Sequence, residues 1–408
     1  MELRLLTDGL RQELRFELIE RKGWGHPDTL SDGLAEVLSR TYANYTRDNY
    51  GIILHHNFDK VGLLGGRSHV TFGRGTLTAP VRVLLNGRAS TRCGHNAIPV
   101  IDLLIDSAKE FLLARLPRLD PERDLVFHNN LSTAGSPGHV DIGQEPVGSR
   151  KTWFEPRNPD DLREAHRRTS NDTSVGCAHW PLSRTERAVL DLEKGLTTPE
   201  SVVERPWLGT DVKVMAQRVG HQARFTLCVP QIAAEVTNAE TYKSHLAWVQ
   251  SYVERFLADR MPDADVQVWV NTKDDYTIPE LYLTAIGSSI ESGDEGLVGR
   301  GNRPNGLIAM GRPYSMEGVC GKNPVYHVGK LYNLVALEAA QALHQRCGAP
   351  VEVWLVSQEG RDLADPWQAV VRSGGELTAG VVSETLRECL SMLPVITDRL
   401  LAGEMELF

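Results

Sequence analysis

A chain of 408 residues with 41% hydrophobic content can bury a sizeable core and divide into two or three domains or subdomains. Its formal net charge of −9 argues against a general nucleic-acid binder, which needs net or strongly clustered positive charge to meet a phosphate backbone. No run of about 18 or more apolar residues offers a membrane span, and the opening MELRLLTDGLRQELRFELIERKG lacks the basic-then-apolar order of a secretion signal, so a cytoplasmic protein without membrane or nucleic-acid partners is expected.

Leu30, Leu34, Val37, Leu38 and Tyr45 recur at helical spacing between Asp28 and Gly51, which predicts a helix over 29–49. Strands follow at 52–55, 61–64 and 81–85, then a helix at 99–116 and a strand at 125–128. The stretch 116–168 is rich in Pro, Asn, Asp and Gly and reads as loop, a place for a boundary or a mobile gate. Paired runs at 212–218 and 224–229 lead to a helix over 239–260, and strands at 266–271 and 281–286 to a helix over 328–346. A strand at 351–356 and a helix over 383–401 close the chain. Strand pairs recurring with one or two helices describe an α+β protein of several small sheet-plus-helix units, each covering one sheet face and leaving the other to a partner surface. Six cysteines are scattered without a CxxC pair and read as reduced and structural.

Five motifs could carry chemistry. In GWGHPDTLSDG, His26 and Asp28 stand where a helix begins, and its free N–H groups favour an anion; His26 could donate to a phosphate oxygen while Asp28 holds Mg²⁺, or the motif is only a helix start. In HHNFDK, His55 and His56 face opposite ways on a strand and cannot share a metal, whereas Asp59 and Lys60 sit at the following turn. NDTSVG (171–176) suits a loop that binds hydroxyls or a base edge. In GTDVKVM, Asp211 and Lys213 share one strand face, either as an ion pair or with the lysine aimed at phosphate.

The fifth motif runs from Gly293 to Lys330. Asp294 and Glu295 stand among its first glycines, and Arg300, Arg303, Arg312, Lys322, His327 and Lys330 follow with Glu317 as the one acid between them. This reads as a cradle for a compact polyanion, phosphate above all. It is neither a Walker A loop, because Asn323 follows Lys322, nor a Rossmann fingerprint, because no strand leads directly into a helix.

In this order, ERKGWGHPDTLSDGLAE, ILHHNFDKVGLLGGRS, NDTSVG, GTDVKVM, VNTKDD, GDEGLVGRGNRPNGLI and GKNPVYHVGKLYN resemble the signatures of the archaeal-type methionine adenosyltransferases, or S-adenosylmethionine synthetases. The resemblance implies three related sheet-plus-helix subdomains in pseudo-threefold array, at 21–165, 166–285 and 286–408 (the last with 1–20). Their sheets would pack flat against a second subunit in a homodimer, with active sites at the interface and the option of a tetramer. It also implies that the sulfur of L-methionine attacks C5′ of ATP and that the triphosphate leaves whole, to be hydrolysed to phosphate and pyrophosphate. A thioether has no proton to lose, so the demand falls on cations and Mg²⁺ at the leaving group.

Carried over by residue, the resemblance makes His26, Lys213, Arg300 and Lys322 catalytic and adds Asp294, Lys330 and His327 to the ATP and triphosphate contacts. Asp172, Asp294, Asp59 and Lys60 would meet methionine or adenosine, Asp28 would bind Mg²⁺, and K⁺ is the second cofactor. The chain departs from the branch at Phe58, in VGCAHWPLS with His179 and Trp180, and at Tyr326. These larger residues either reshape the substrate pocket or are neutral changes behind it. The alternatives are the same chemistry on a methionine or nucleotide analogue, and an ATP-binding paralogue without catalysis.

Overall fold

The computed structural model describes residues 1–135, 143, 152–162 and 168–408. Its helices are α1 (Pro27–Tyr50), α2 (Val100–Arg115), α3 (Arg184–Leu196), α4 (Pro199–Glu204), α5 (Ala239–Arg260), α6 (Val328–Cys347), α7 (Ala379–Ser391) and α8 (Leu393–Ala402). None of the described helices is long and apolar enough to cross a membrane.

Three larger sheets each carry their own hydrophobic core. The first orders Leu125–Ser132, Val81–Ala89, Gly62–Leu64 and Glu295–Leu297, with His56–Asn57 also on Val81–Ala89. Leu30, Leu34 and Leu38 of α1 and Leu104 and Leu112 of α2 bury against its Val83 and Leu85. The second orders Asp265–Val270, Gln222–Cys228, Lys213–Val219, Phe16–Lys22 and Ile308–Met310. Its apolar parity, Val214, Ala216, Phe225 and Leu227, faces Val189 and Leu192 of α3 and Val249 and Val253 of α5. The third orders Glu2–Leu6, Gln368–Ser373, Val351–Val356 and Val175–Trp180 beneath α6, α7 and α8.

Chain order and spatial order differ in a way that matters for the site. Phe16–Lys22 lies inside the second sheet, and the chain then turns directly into α1 of the first unit. The basic stretch runs through all three units: Glu295–Leu297 joins the first sheet, Ile308–Met310 the second, and Val328 starts α6 on the third.

Several expected elements shift. The strand expected at 52–55 forms at His56–Asn57, and 281–286 yields only Leu283–Thr284. The helix expected over 383–401 is two, α7 and α8, because Pro394 lacks the N–H that would continue one ladder. Strands Glu2–Leu6, Phe16–Lys22, Val175–Trp180 and Gln368–Ser373, and helix α3, went unforeseen. The gate expected within 116–168 falls largely on 136–142, 144–151 and 163–167, outside the described residues.

Candidate active site

His26 occupies the N-cap of α1, with Pro27 at the first helical position. Its Nδ1 accepts the Asp28 N–H at 3.1 Å. Burial pulls its pKa below the usual histidine value, against the opposing pull of Asp211. The neutral ring with Nδ1 accepting must carry its proton on Nε2, so His26 presents a donor. It lines a cleft with Asp211, Lys213, Cys228, Tyr282, Ser289 and Asp294. The Asp211 carboxylate accepts from Ser289 N at 2.8 Å, Ser289 Oγ at 2.6 Å and Tyr282 OH at 3.2 Å. Burial raises its pKa, with His26 and these donors pulling it back down. Lys213 stands opposite Lys22 on the neighbouring strand and pairs with Glu20 at 3.2 Å, and Asp294 accepts from Ser289 Oγ at 3.0 Å.

Beside His26 the basic stretch is held from below. Asp28 accepts the Leu297 N–H at 3.1 Å and Lys22 Nζ at 2.8 Å, and Lys22 Nζ also reaches the Arg300 carbonyl at 2.8 Å. Asn302 exchanges two hydrogen bonds with the Lys22 backbone. Asp32 accepts Gly299 N at 2.8 Å and Gly301 N at 3.1 Å, and Glu36 accepts Gly321 N at 3.0 Å and Lys330 Nζ at 2.7 Å. Asp28, Asp32 and Glu36 recur every four residues and form one stripe on α1.

A second cluster lies where the stretch meets the third unit. Lys322 pairs closely with Glu317 and stands 3.8 Å from Asp59, which binds Lys60 at 2.7 Å. Ser174 Oγ donates to Glu317 at 2.8 Å, and Asn171 Oδ1 accepts the Val328 N–H at 3.0 Å, so the NDTS loop rests on the start of α6. Asp172 is exposed beside it, capping the Thr173 N–H at 2.7 Å. His327 is the N-cap of α6, and burial, with Lys322 and Lys330 nearby, holds it well below the usual histidine pKa.

The predicted residues thus fall into two groups. His26, Asp28, Lys213, Asp294 and Arg300 gather around the start of α1, whereas Asp59, Lys60, Asp172, Lys322 and His327 gather at the start of α6. Glu36, beside the second group, lies eight residues, about 12 Å, along α1 from Asp28. The apparent excess of positive charge is largely compensated by acids remote in sequence. Arg312 is buried on Glu186 at 2.9 Å and Lys330 on Glu36, so both act as internal anchors, contrary to the reading of a free cationic cradle. Arg303 stacks over Tyr314 at 4.6 Å. Arg300 is exposed and makes no ion pair among the described residues.

Phe58 is fully buried between Tyr42 and His56 in the first core. His179 binds Glu186 at 3.2 Å, Trp180 ends an edge strand under Arg187, and Tyr326 OH meets His55 Nδ1 at 2.6 Å. None of the four lines the His26 cleft. Lys22, Asp32 and Glu36 also stand in these two groups and were missed, whereas Asp211, read with Lys213 as a possible ion pair, instead holds Ser289 and Tyr282 while Lys213 takes Glu20. The spacing of the three α1 acids was the available signal. Among the described residues no group of three or more His, Cys, Asp or Glu is arranged to hold a metal. Asp28 and Asp294 nevertheless supply hard carboxylate oxygens of the type Mg²⁺ takes when phosphate and water complete its shell.

The fold and the site together define the class: an α+β protein of several sheet-plus-helix units with His26 at a helix start lining a polar cleft. The same fold occurs in an unusual S-adenosylmethionine synthetase from Campylobacter jejuni, at a TM-score of 0.55 and 12% identity, covering 94% of this chain and 88% of that one. The family profile of S-adenosylmethionine synthetase (AdoMet synthetase) matches residues 3–404. The S-adenosylmethionine synthases of Haloarcula marismortui and Aeropyrum pernix are 36% and 37% identical to it. The first alignment covers 96% of this chain and 95% of the relative, and the second 97% and 96%. The enzyme of that name from Pyrococcus furiosus is 38% identical over 88% of this chain and 85% of its own length. The chain therefore belongs to the S-adenosylmethionine synthetase family, in its archaeal-type branch, and is an enzyme of the methionine adenosyltransferase class.

Proposed function

We propose that this enzyme makes S-adenosylmethionine from ATP and L-methionine by in-line attack of the methionine sulfur on C5′. The sulfur lone pair forms the new S–C5′ bond, the C5′–O bond breaks, and its electron pair leaves on tripolyphosphate, which the same site hydrolyses to phosphate and pyrophosphate. The observation that carries this reading is His26, a neutral Nε2–H donor at a helix start beside Lys213. Leaving-group stabilisation needs donors and cations but no base, and Asp211, the buried carboxylate at hand, is occupied by three donors.

In this reading His26, Lys213, Arg300 and Lys322 bear the charge of the departing triphosphate. Lys322 exchanges Glu317 for a phosphate oxygen, and Lys330 and His327 hold the start of α6 in place behind it. Asp294 meets the nucleotide, and Asp172, Asp59 and Lys60 meet methionine and adenosine. Asp28 with Asp294 would hold Mg²⁺, which when bound neutralises phosphate charge; K⁺ is the second ion. The two groups of residues, one at each α-helix start, support a homodimer in which a second copy brings complementary halves together. The three subdomains assigned to 21–165, 166–285 and 286–408 with 1–20 belong to the same proposal, with Phe16–Lys22 and Ile308–Met310 lent to the second sheet, Glu295–Leu297 to the first and Val175–Trp180 to the third, as does a cytoplasmic location.

Mass spectrometry of products from purified protein with ATP, Mg²⁺ and K⁺, with and without L-methionine, tests the proposal. S-adenosylmethionine, phosphate and pyrophosphate should appear only with methionine. ATP hydrolysis indifferent to methionine as the sole activity would refute it.

A further inference from the structure

Arg300 stands out because its guanidinium is exposed while its backbone is held on every side. The peptide N–H groups of its two neighbours, Gly299 and Gly301, both point to the Asp32 carboxylate, at 2.8 and 3.1 Å, and its own carbonyl accepts Lys22 Nζ at 2.8 Å. The loop lies so close to α1 that a Cβ on Gly301 would stand 2.2 Å from Asp32 Oδ2, and one on Gly296 1.9 Å from the Pro27 carbonyl. Asp32 is itself almost wholly buried and makes no side-chain ion pair among the described residues. Burying a carboxylate is costly, and a site that needed only packing would be better served by an apolar side chain.

We propose that Asp32 is the positioning residue for Arg300: by accepting the two N–H groups that flank it, the carboxylate fixes where the guanidinium meets the triphosphate. The inference rests on the assignment of Arg300 to that leaving group. An ionised carboxylate can accept both N–H groups with one oxygen each, whereas its protonated form presents a hydroxyl to one of them and releases it. Burial pushes the Asp32 pKa up to about 7, opposed by the Gly299 N–H, Arg303 and the Gly301 N–H and assisted by Asp28. Cys320 is the other titratable group from the loop side that feels its charge.

The test is a cycle of Asp32→Asn, Arg300→Ala and the double variant, read by steady-state S-adenosylmethionine formation and thermal melting. Asp32→Asn should lower kcat by about 10- to 100-fold, the scale of an ångström of misplacement, and leave KM for methionine within about twofold. A loss confined to kcat, in a variant whose melting temperature stays near wild type, is a split that loss of packing would not produce. In the Arg300→Ala background the same change should cost less than about threefold. Should Asp32→Asn fail to fold, Gly301→Ala displaces the same carboxylate from the loop side and enters the same cycle. A deficient Arg300→Ala on which the Asp32 or Gly301 change acts with its full factor overturns the positioning role. An Arg300→Ala enzyme with wild-type kcat refutes instead the assignment of Arg300 to triphosphate, and the inference falls with it.

Discussion

Glu36→Gln isolates the energetics of the α1 acid stripe. The Lys330 side chain is 0% exposed and its ammonium lies 2.8 and 2.7 Å from the two Glu36 oxygens, one of which also accepts the Gly321 N–H. At 2.7 Å and an effective dielectric of about 20, the pair attracts by about 6 kcal/mol. Desolvation offsets part of this, so leaving the ammonium without its counter-charge should cost about 3 to 5 kcal/mol. Both Glu36 oxygens face the Lys330 ammonium, so glutamine turns an NH₂ toward the cation in either orientation, and the one acceptor it keeps carries no charge. Adding Lys330→Met removes the stranded charge, and the double variant should recover to within about 1 to 2 kcal/mol of wild type. Urea unfolding followed by circular dichroism measures all four corners of the cycle. A Glu36→Gln cost below about 0.5 kcal/mol, or a double variant as unstable as the sum of the singles, would refute the claim that this pair is an internal anchor.

Arg312, which reads in sequence as part of the phosphate cradle, is buried on Glu186; Arg312→Met should destabilise by about 3 to 5 kcal/mol in the same urea assay and leave kcat within about twofold. His26→Ala should lower kcat by about 10² to 10³ through loss of one leaving-group donor, as steady-state kinetics will show. Because burial keeps the ring neutral down past the usual histidine range and the protonated ring would still offer Nε2–H, His26 itself should set no acid limb above about 6.5. Asp32 has the reverse of the usual carboxylate linkage. Its folded pKa of about 7 lies above the reference 3.8, so the native state holds the extra proton between these values and stability falls as pH rises through that window. The term amounts to about 4 kcal/mol over the whole window, of which about 2 to 3 kcal/mol falls between pH 5 and pH 8, and urea midpoints at those two pH values should show that part in wild type and not in Asp32→Asn.

Features carried by local periodicity were legible in the sequence: α1, the pair Lys213–Val219 and Gln222–Cys228, α5 and α6 all lie within a few residues of their expected spans. The placement of His26 and Asp28 at a helix start followed from Pro27 and Asp28 standing just ahead of the Leu30, Leu34 and Leu38 periodicity. Contacts remote along the chain were not legible. Phe16–Lys22 gains its place only from partners at Lys213–Val219 and Ile308–Met310, so nothing near it announces a strand inside a sheet. For the same reason Arg312 and Lys330 look like part of one cationic patch until Glu186 and Glu36 are seen beside them. Helix α3 could have been read, since Ser183 and Glu186 form a capping box with bonds of 3.1 and 2.6 Å. Phe58 shows the opposite limit: a bulky residue in a functional motif that turns out to be core.

The central claim is that the whole triphosphate departs from C5′, with no phosphoryl group transferred. ATP carrying ¹⁸O in the bridge between C5′ and the α-phosphorus distinguishes the two when incubated with the enzyme, L-methionine and Mg²⁺. The account predicts that every turnover places the label in the inorganic products and none in the nucleoside. Label retained on the adenosine side would mean that a P–O bond breaks, and would contradict it.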